Sequence, residues 1–435
     1  MDIESINKNL ALGNIQEAAM LPHVSLLAQS SYIFDYEFGL TQLPVEPGIL
    51  LIRGPRQYGK STWLEQQILQ TIQQFGAGSA FYLNGDFLPD NNAMSEQIIN
   101  LCVSFSKEAK VKRIFIDEIT SILGWETVIK RLVDNGTLRD ILVITTGSKA
   151  TDLRRGAERL PGRRGKIAKT NYVFTPISYA NFYKKCHKKL KKQTLSAYIL
   201  SGGSPIACME LAKHGAIPEY VIQLVRDWVE GEIAKAGRTR STLMNIFNVI
   251  FRFGGNPVGQ AKLAREANLA NNTVAQEYIE ILNDLGCVVP SYPINLDKNN
   301  LVLRKPCKYH YMNLLVATAY HPARLRTPED FDALSESEQG VWYEWLIAQE
   351  LQRQRAIEGN ALLEPLAFWQ NKVHEIDFYV SGENFIEVKR GRCSALEFAW
   401  FARQFKNQRL TVINKEKFAT EILEGVSLED FLLRE

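Results

Sequence analysis

The chain has 435 residues, well beyond the roughly 100–200 of one ordinary domain, so it must divide into several. Its 46% hydrophobic and 23% charged residues are ordinary globular values, and a net charge of +3 is too small to name a partner. The six cysteines are scattered with no C-x-x-C pair, which points to neither a zinc site nor a disulfide framework and fits a reducing cytoplasm.

The first residues, Met-Asp-Ile-Glu, lack the basic and apolar run of a signal peptide. No stretch reaches the roughly 18 apolar residues of a membrane span. The expectation is a soluble, cytoplasmic protein with no membrane partner. Residues 1–47 read as a mixed, partly helical extension that ends in the turn signals Pro44 and Pro47-Gly48. A strand, Ile49–Ile52, follows, then a Gly-rich turn and a helix from Ser61 to about Phe75. Ala80–Leu83, Ile114–Ile116 and Ile141–Ile144 read as further strands, with a helix predicted over residues 95–109. Continuous apolar strands separated by helices predict a parallel sheet covered on both faces. After Pro176 the pattern turns helical, broken at Ser201-Gly202-Gly203-Ser204-Pro205. Helices over 241–253, 259–267 and 272–285, then strands Cys287–Val289 and Leu301–Leu303, predict a winged helix-turn-helix. A helix over 336–354 opens a last α/β unit.

Gly54-Pro55-Arg56-Gln57-Tyr58-Gly59-Lys60-Ser61 fits G-x-x-x-x-G-K-[ST] between a strand and a helix, the context the phosphate-binding loop needs. Glycines let backbone N–H groups turn toward phosphates, and the helix N-terminus adds positive potential. Lys60 is expected to reach the β- and γ-phosphates of ATP and Ser61 to place its hydroxyl on Mg²⁺, with Thr62 completing the nucleotide contact. Asp117 and Glu118 end the third strand, where acidic side chains lie beside the phosphate loop. Asp117 is expected to hold Mg²⁺ through water and Glu118 to polarise the attacking water. Ser148 or Thr145, at the end of the fourth strand, is expected to sense the γ-phosphate.

The order of these pieces carries a resemblance. The phosphate loop at 54–61, Ile-Asp-Glu-Ile at 116–119, Thr-Gly-Ser at 146–148, Leu-Pro-Gly-Arg at 160–163, Pro176-Ile177-Ser178 and Gly-Gly-Ser-Pro at 202–205 follow one another. This resembles the prokaryotic AAA-type P-loop ATPases that carry a winged helix and a C-terminal restriction-endonuclease-like domain. The resemblance covers about residues 40–410. It implies an α/β fold with five parts. These are an N-terminal extension (1–40), a P-loop ATPase core (41–175), a helical segment (176–239), a winged helix (240–312) and a restriction-endonuclease-like domain (330–435). It also makes Arg163 a candidate finger for a nucleotide site, with Arg164 adjacent and a further copy of the chain as a candidate partner.

Near the C-terminus, Glu375–Val380 and Phe385–Lys389 read as two strands joined by Ser381-Gly382-Glu383-Asn384. Glu387 and Lys389 are two apart and face one side, and Asp377 can reach it. Two carboxylates and a lysine converging on a hairpin suit metal-assisted phosphodiester cleavage. The pattern looks like the D…E-x-K core of restriction-endonuclease-like folds. That resemblance brings in Glu344 from the upstream helix as a further Mg²⁺ ligand beside Asp377 and Glu387, with Lys389 positioning water.

The second helix of a helix-turn-helix usually enters the major groove. Residues 273–285 offer Gln276, Glu277, Glu280, Asn283 and Asp284 and no basic residue, which is poorly suited to phosphate. Lys184–Lys192 is the better electrostatic handle for nucleic acid, and His187 and His374 read as surface or structural. The leading expectation is an ATPase coupled to a nuclease-like domain acting on nucleic acid. The alternative is an ATP-dependent switch whose winged helix and inactive nuclease-like domain bind partners without cutting.

Overall fold

The computed structural model describes residues 3–14, 21–148, 165–359, 364–380, 384–405 and 407–434. The chain resolves into two compact units. One comprises residues 1–175 with 355–362, the other residues 176–354 with 363–435.

The first unit is built on five parallel strands: β1 (Gly48–Arg53), β2 (Ala80–Asn84), β3 (Arg113–Asp117), β4 (Leu142–Gly147) and β5 (Asn171–Val173). Their spatial order is β2-β3-β4-β1-β5, so β4 lies between the strand that enters the phosphate loop and the strand that ends in Asp117. Every residue of β3 and β4 is buried. That agrees with uninterrupted apolar runs in a sheet covered on both sides. The helix Lys60–Phe75 contains no glycine or proline and stops at Gly76, whose φ of 89° ends it. The next helix runs over Asn91–Ser104, earlier than the predicted 95–109. Asp90 caps it by accepting N–H groups from Asn92 and Ala93, each at 2.9 Å, and the chain then turns extended at buried Phe105. The N-terminal extension is part of this unit: Ile6, Leu10, Leu21 and Phe38 lie in the same core as the phosphate-loop helix.

The second unit holds two further sheets. Helices Arg240–Arg252, Gln260–Glu266 and Asn272–Asp284 precede β6 (Val288–Asn295), β7 (Asn300–Leu301) and β8 (Lys308–Tyr311). β6 and β7 form a hairpin at Ile294 and Asn295, but the strand predicted over Cys287–Val289 does not face Leu301: Val288 and Val289 pair with β8, and β7 stops before Val302. β6 also pairs with β8, and in parallel with β9 (Leu366–Gln370), whose outer neighbour is β10 (Glu375–Ile376). The third sheet contains β11 (Phe378–Val380), β12 (Asn384–Val388), β13 (Arg409–Ile413), β14 (Phe418–Ala419) and β15 (Leu423–Val426), ordered β11-β12-β13-β15-β14. The single strand predicted over Glu375–Val380 is therefore split at Asp377, with one half in each sheet. The break has a local cause: the Asp377 N–H donates to the Glu387 carboxylate at 3.2 Å instead of to a strand partner.

Candidate functional sites in the two units

Backbone geometry shapes the phosphate loop. Gln57 and Gly59 adopt positive φ, 69° and 92°. A side chain at Gly59 would strike the Tyr36 ring, with the Tyr36 hydroxyl only 2.5 Å from the Cβ position. Tyr36 also hydrogen-bonds Thr62, and burial pushes its phenol up to about 12. Tyr58 is buried in the core, so that position offers the loop's backbone and not its ring.

Lys60, only 4% exposed, begins the helix. Its ammonium donates to the carbonyls of Gly54 and Pro55 at 2.8 and 2.9 Å, and the carboxylate paired with it, Glu118, is 4.0 Å away. Burial depresses its pKa, opposed by Glu118 and Asp117. A buried cation at a helix N-terminus, held mainly by carbonyl dipoles, is short of countercharge, and an anion would supply it.

The acidic pair faces this lysine from the next strand but one. Thr146 donates its hydroxyl to Asp117, and the Glu118 N–H reaches Thr146 Oγ1 at 3.1 Å. Glu118 is left-handed, at φ 44°, an unusual state for a non-glycine residue and one found at functional turns. Ser148 donates to Glu118 Oε2 at 3.1 Å. Thr145 instead donates to the Leu50 carbonyl at 3.0 Å, inside the sheet. Thr146 is thus a site residue that sequence reasoning missed. Its signal is the period-two spacing that puts it on the same face as Ser148. Gly54, Pro55, Arg56, Gln57, Ser61 and Thr62 lie along the loop and first helical turn. Arg163 and Arg164 fall outside the described residues.

The second unit gathers Glu344, Asp377, Glu387 and Lys389 around one cavity of about 520 Å³. Asp377 Oδ2 accepts the Val388 N–H at 2.9 Å, and Glu387 Oε1 pairs with Lys389 at 2.6 Å. A further cation, Lys308 on β8, is 1% exposed and contacts Glu344 at 3.1 Å, Glu375 at 2.8 Å and Asp377 at 2.8 Å. Burial disfavours the Lys308 charge, but Asp377, Glu344 and Glu375 outweigh it and hold its pKa well above the ordinary value. Burial raises Glu344 and Glu387; for Asp377 the same effect is overcome by Lys308, and its carboxyl stays depressed. Among the described residues, no three His, Cys, Asp or Glu side chains are arranged to hold a metal ion. Sequence reasoning missed Lys308 and Glu375.

Two polar side chains of the helix Asn272–Asp284 reach other parts of the protein. Glu277 pairs with Arg238 at 2.7 Å, and Gln276 bonds Gln260 and Glu280. On the helix Tyr179–Leu190, Lys184, Lys185, Lys188 and Lys189 are exposed while Phe182, Cys186 and Leu190 are buried. His187 stacks on Tyr183 and bonds Thr194, and His374 stacks on Trp400. All six cysteines are free, and no described helix is long and apolar enough to cross a membrane.

Comparison with known proteins matches residues 46–183 to an AAA domain family, AAA_14. An uncharacterised protein of Methanocaldococcus jannaschii, MJ1544, is 22% identical over 386 residues, covering 82% of this chain and 77% of that one. The Walker-type ATPase paby2304 of Pyrococcus abyssi overlaps 62% of this chain and 90% of its own at 12% identity, with a TM-score of 0.43. A RuvB variant of Thermotoga maritima overlaps 56% and 82% at 16% identity, with a TM-score of 0.32. Residues 46–183, which match the AAA domain family, contain the phosphate loop between its strand and its helix.

Proposed function

We propose that the protein hydrolyses ATP with Mg²⁺ in its first unit and engages nucleic acid with its second, which carries a restriction-endonuclease-like domain. The observation that carries the first half is Lys60, a buried cation at a helix N-terminus facing Asp117 and Glu118. The residues fit a magnesium nucleotide. Lys60 and the loop backbone would hold the phosphates, and Ser61 and Asp117 the Mg²⁺, which supplies charge neutralisation at the transferring phosphoryl group. Thr146 donates to the Asp117 carboxylate and Ser148 to that of Glu118, which would polarise the attacking water. Lys60→Ala and Glu118→Gln should each abolish turnover; hydrolysis persisting in both would overturn the assignment.

For the second unit, the junction of Asp377, Glu387 and Lys389 supports the restriction-endonuclease-like reading, and the three helices with a hairpin support the winged helix. The exposed lysines of the helix Tyr179–Leu190 are the surface best suited to phosphate. A catalytic metal does not fit the carboxylates as they stand, because Lys308 and Lys389 already occupy them. That observation favours the second reading, a domain that binds without cutting. A nuclease assay with Mg²⁺ or Mn²⁺ on single- and double-stranded DNA, comparing the natural chain with Asp377→Ala and Lys389→Ala, separates the two. Metal-dependent cutting that disappears in both variants establishes a nuclease; no cutting leaves a binding module.

A further inference from the structure

The D…E-x-K pattern accounts for one lysine in the carboxylate cluster, and the fold supplies a second. Lys308 comes from β8, which is paired with β6 at Ser291. Its ammonium touches carboxylates from three separate places: Glu344 on the helix Glu336–Glu358, Glu375 on β10, and Asp377 at the break between the two sheets. Such convergence on one point is what a bound cation requires. Five of the six oxygens that Asp377, Glu387 and Glu344 would offer a metal already take a donor. Asp377 Oδ1 takes Lys308 at 2.8 Å and Oδ2 takes the Val388 N–H at 2.9 Å. Glu387 Oε1 takes Lys389 at 2.6 Å and Oε2 the Asp377 N–H at 3.2 Å. Glu344 Oε1 takes Lys308 at 3.1 Å.

A second observation points to the same spot. His310 lies two residues along β8 from Lys308 and is fully buried, with Nδ1 3.7 Å from Glu344 Oε1. Neither ring nitrogen has a hydrogen-bond partner. A buried imidazole normally finds one. At 3.7 Å from Glu344 Oε1 the imidazole is beyond hydrogen-bond reach, and that oxygen goes to Lys308 instead.

We propose that Lys308 is a built-in counter-ion that takes the cation position among Glu344, Glu375 and Asp377, so that the folded cluster holds no divalent ion while the ammonium is there. The folded site is then charge-compensated without metal, since a dication and an ammonium cannot share three oxygens at close range without strong repulsion. For its bearing on cleavage, the inference rests on the nuclease-like reading of the domain; the competition between lysine and metal does not.

The test uses the full chain without nucleotide and Mn²⁺ as probe, read by loss of the free-ion electron paramagnetic resonance signal and by thermal unfolding. The natural chain should show no Mn²⁺ site that depends on Asp377. Lys308→Met should unfold at a lower temperature, recover when Mn²⁺ is added, and gain a Mn²⁺ site that the natural chain lacks. The double variant Lys308→Met with Asp377→Asn should lose that site. Two outcomes overturn the proposal: a Mn²⁺ site in the natural chain abolished by Asp377→Asn, or a folded Lys308→Met that gains none. If Lys308→Met does not fold, Lys308→Gln, which removes the charge and keeps a polar end, is titrated in its place, and gain or absence of the Mn²⁺ site decides in the same way. A nuclease assay on the same samples keeps the two ideas apart. Mn²⁺ gained by Lys308→Met without cutting upholds the counter-ion and removes the nuclease; Mn²⁺-dependent cutting by the natural chain upholds the nuclease and removes the counter-ion.

Discussion

Ser148 donates its hydroxyl to Glu118 at 3.1 Å from the end of the strand between the phosphate loop and the acidic pair. Glu118 is already turned left-handed, and this bond fixes where its carboxylate points. Ser148→Ala should therefore slow hydrolysis, by roughly tenfold for one missing hydrogen bond to a charged group, while nucleotide affinity is unchanged. Steady-state kinetics check this: kcat falls and KM holds. A rise in KM at constant kcat would mean that Ser148 contacts the nucleotide instead.

Thr146 bonds Asp117, the residue expected to carry Mg²⁺. Thr146→Val keeps shape and removes the donor. The Mg²⁺ concentration giving half-maximal hydrolysis should rise by about an order of magnitude, the usual consequence of losing a partner that orients a ligand.

Gly59 combines φ 92° with a Cβ position that meets Tyr36. Gly59→Ala should cost about 1–3 kcal/mol, from a backbone conformation unsuited to a side chain plus the clash. Thermal unfolding should report the loss, and Gly59→Ala in a Tyr36→Ala background should recover part of it.

His23 answers to pH. Its ring bonds Glu65 at 2.7 Å, and the same carboxylate accepts the N–H groups of His23 and Val24 at 2.9 and 3.0 Å. The bond to Glu65 raises the His23 pKa against the opposing effect of burial. A raised folded value means that the contribution is complete below the ordinary 6.5 and is lost as pH climbs through the folded value. The unfolding temperature of the natural chain should thus drift downward from mildly acidic to mildly alkaline pH relative to His23→Gln. Parallel curves would show that the pair is not coupled to folding.

Four lysines on one exposed helix face make a salt-dependent prediction. Replacing Lys184, Lys185, Lys188 and Lys189 with Gln should flatten the dependence of DNA affinity on salt, by about one unit of log–log slope for each phosphate no longer neutralised. Glu277→Ala and Glu280→Ala should leave DNA binding unchanged, since Glu277 is committed to Arg238. An unchanged slope in the lysine variant would move the interface elsewhere.

Local signals make much of the first unit legible. Uninterrupted apolar runs mark β1 to β4, and the loop between Ile52 and Ser61 names its own chemistry. Thr146 is harder to see because Thr145, Thr146 and Ser148 are chemically alike, and only strand alternation separates the hydroxyl that meets Asp117 from the one that turns to Leu50. Tyr36 and His23 belong to no motif; their roles depend on an extension folding back on the phosphate-loop helix. In the second unit, Asp377, Glu387 and Lys389 are readable from spacing. Lys308 is not: it lies 69 residues from Asp377, and the two meet only because β8, β6, β9 and β10 are laid side by side. Spacing reports neighbours on one element, whereas a counter-ion brought from another sheet strand is a product of topology.

The proposed function gives Lys60 and Glu118 different tasks toward ATP, and one experiment separates them. Binding of ATP with Mg²⁺ is measured by calorimetry beside single-turnover hydrolysis. Glu118→Gln should bind ATP as tightly as the natural chain and fail to turn it over, while Lys60→Ala should lose binding itself. Hydrolysis by Glu118→Gln at the natural rate, or undiminished ATP affinity in Lys60→Ala, would contradict this division of roles.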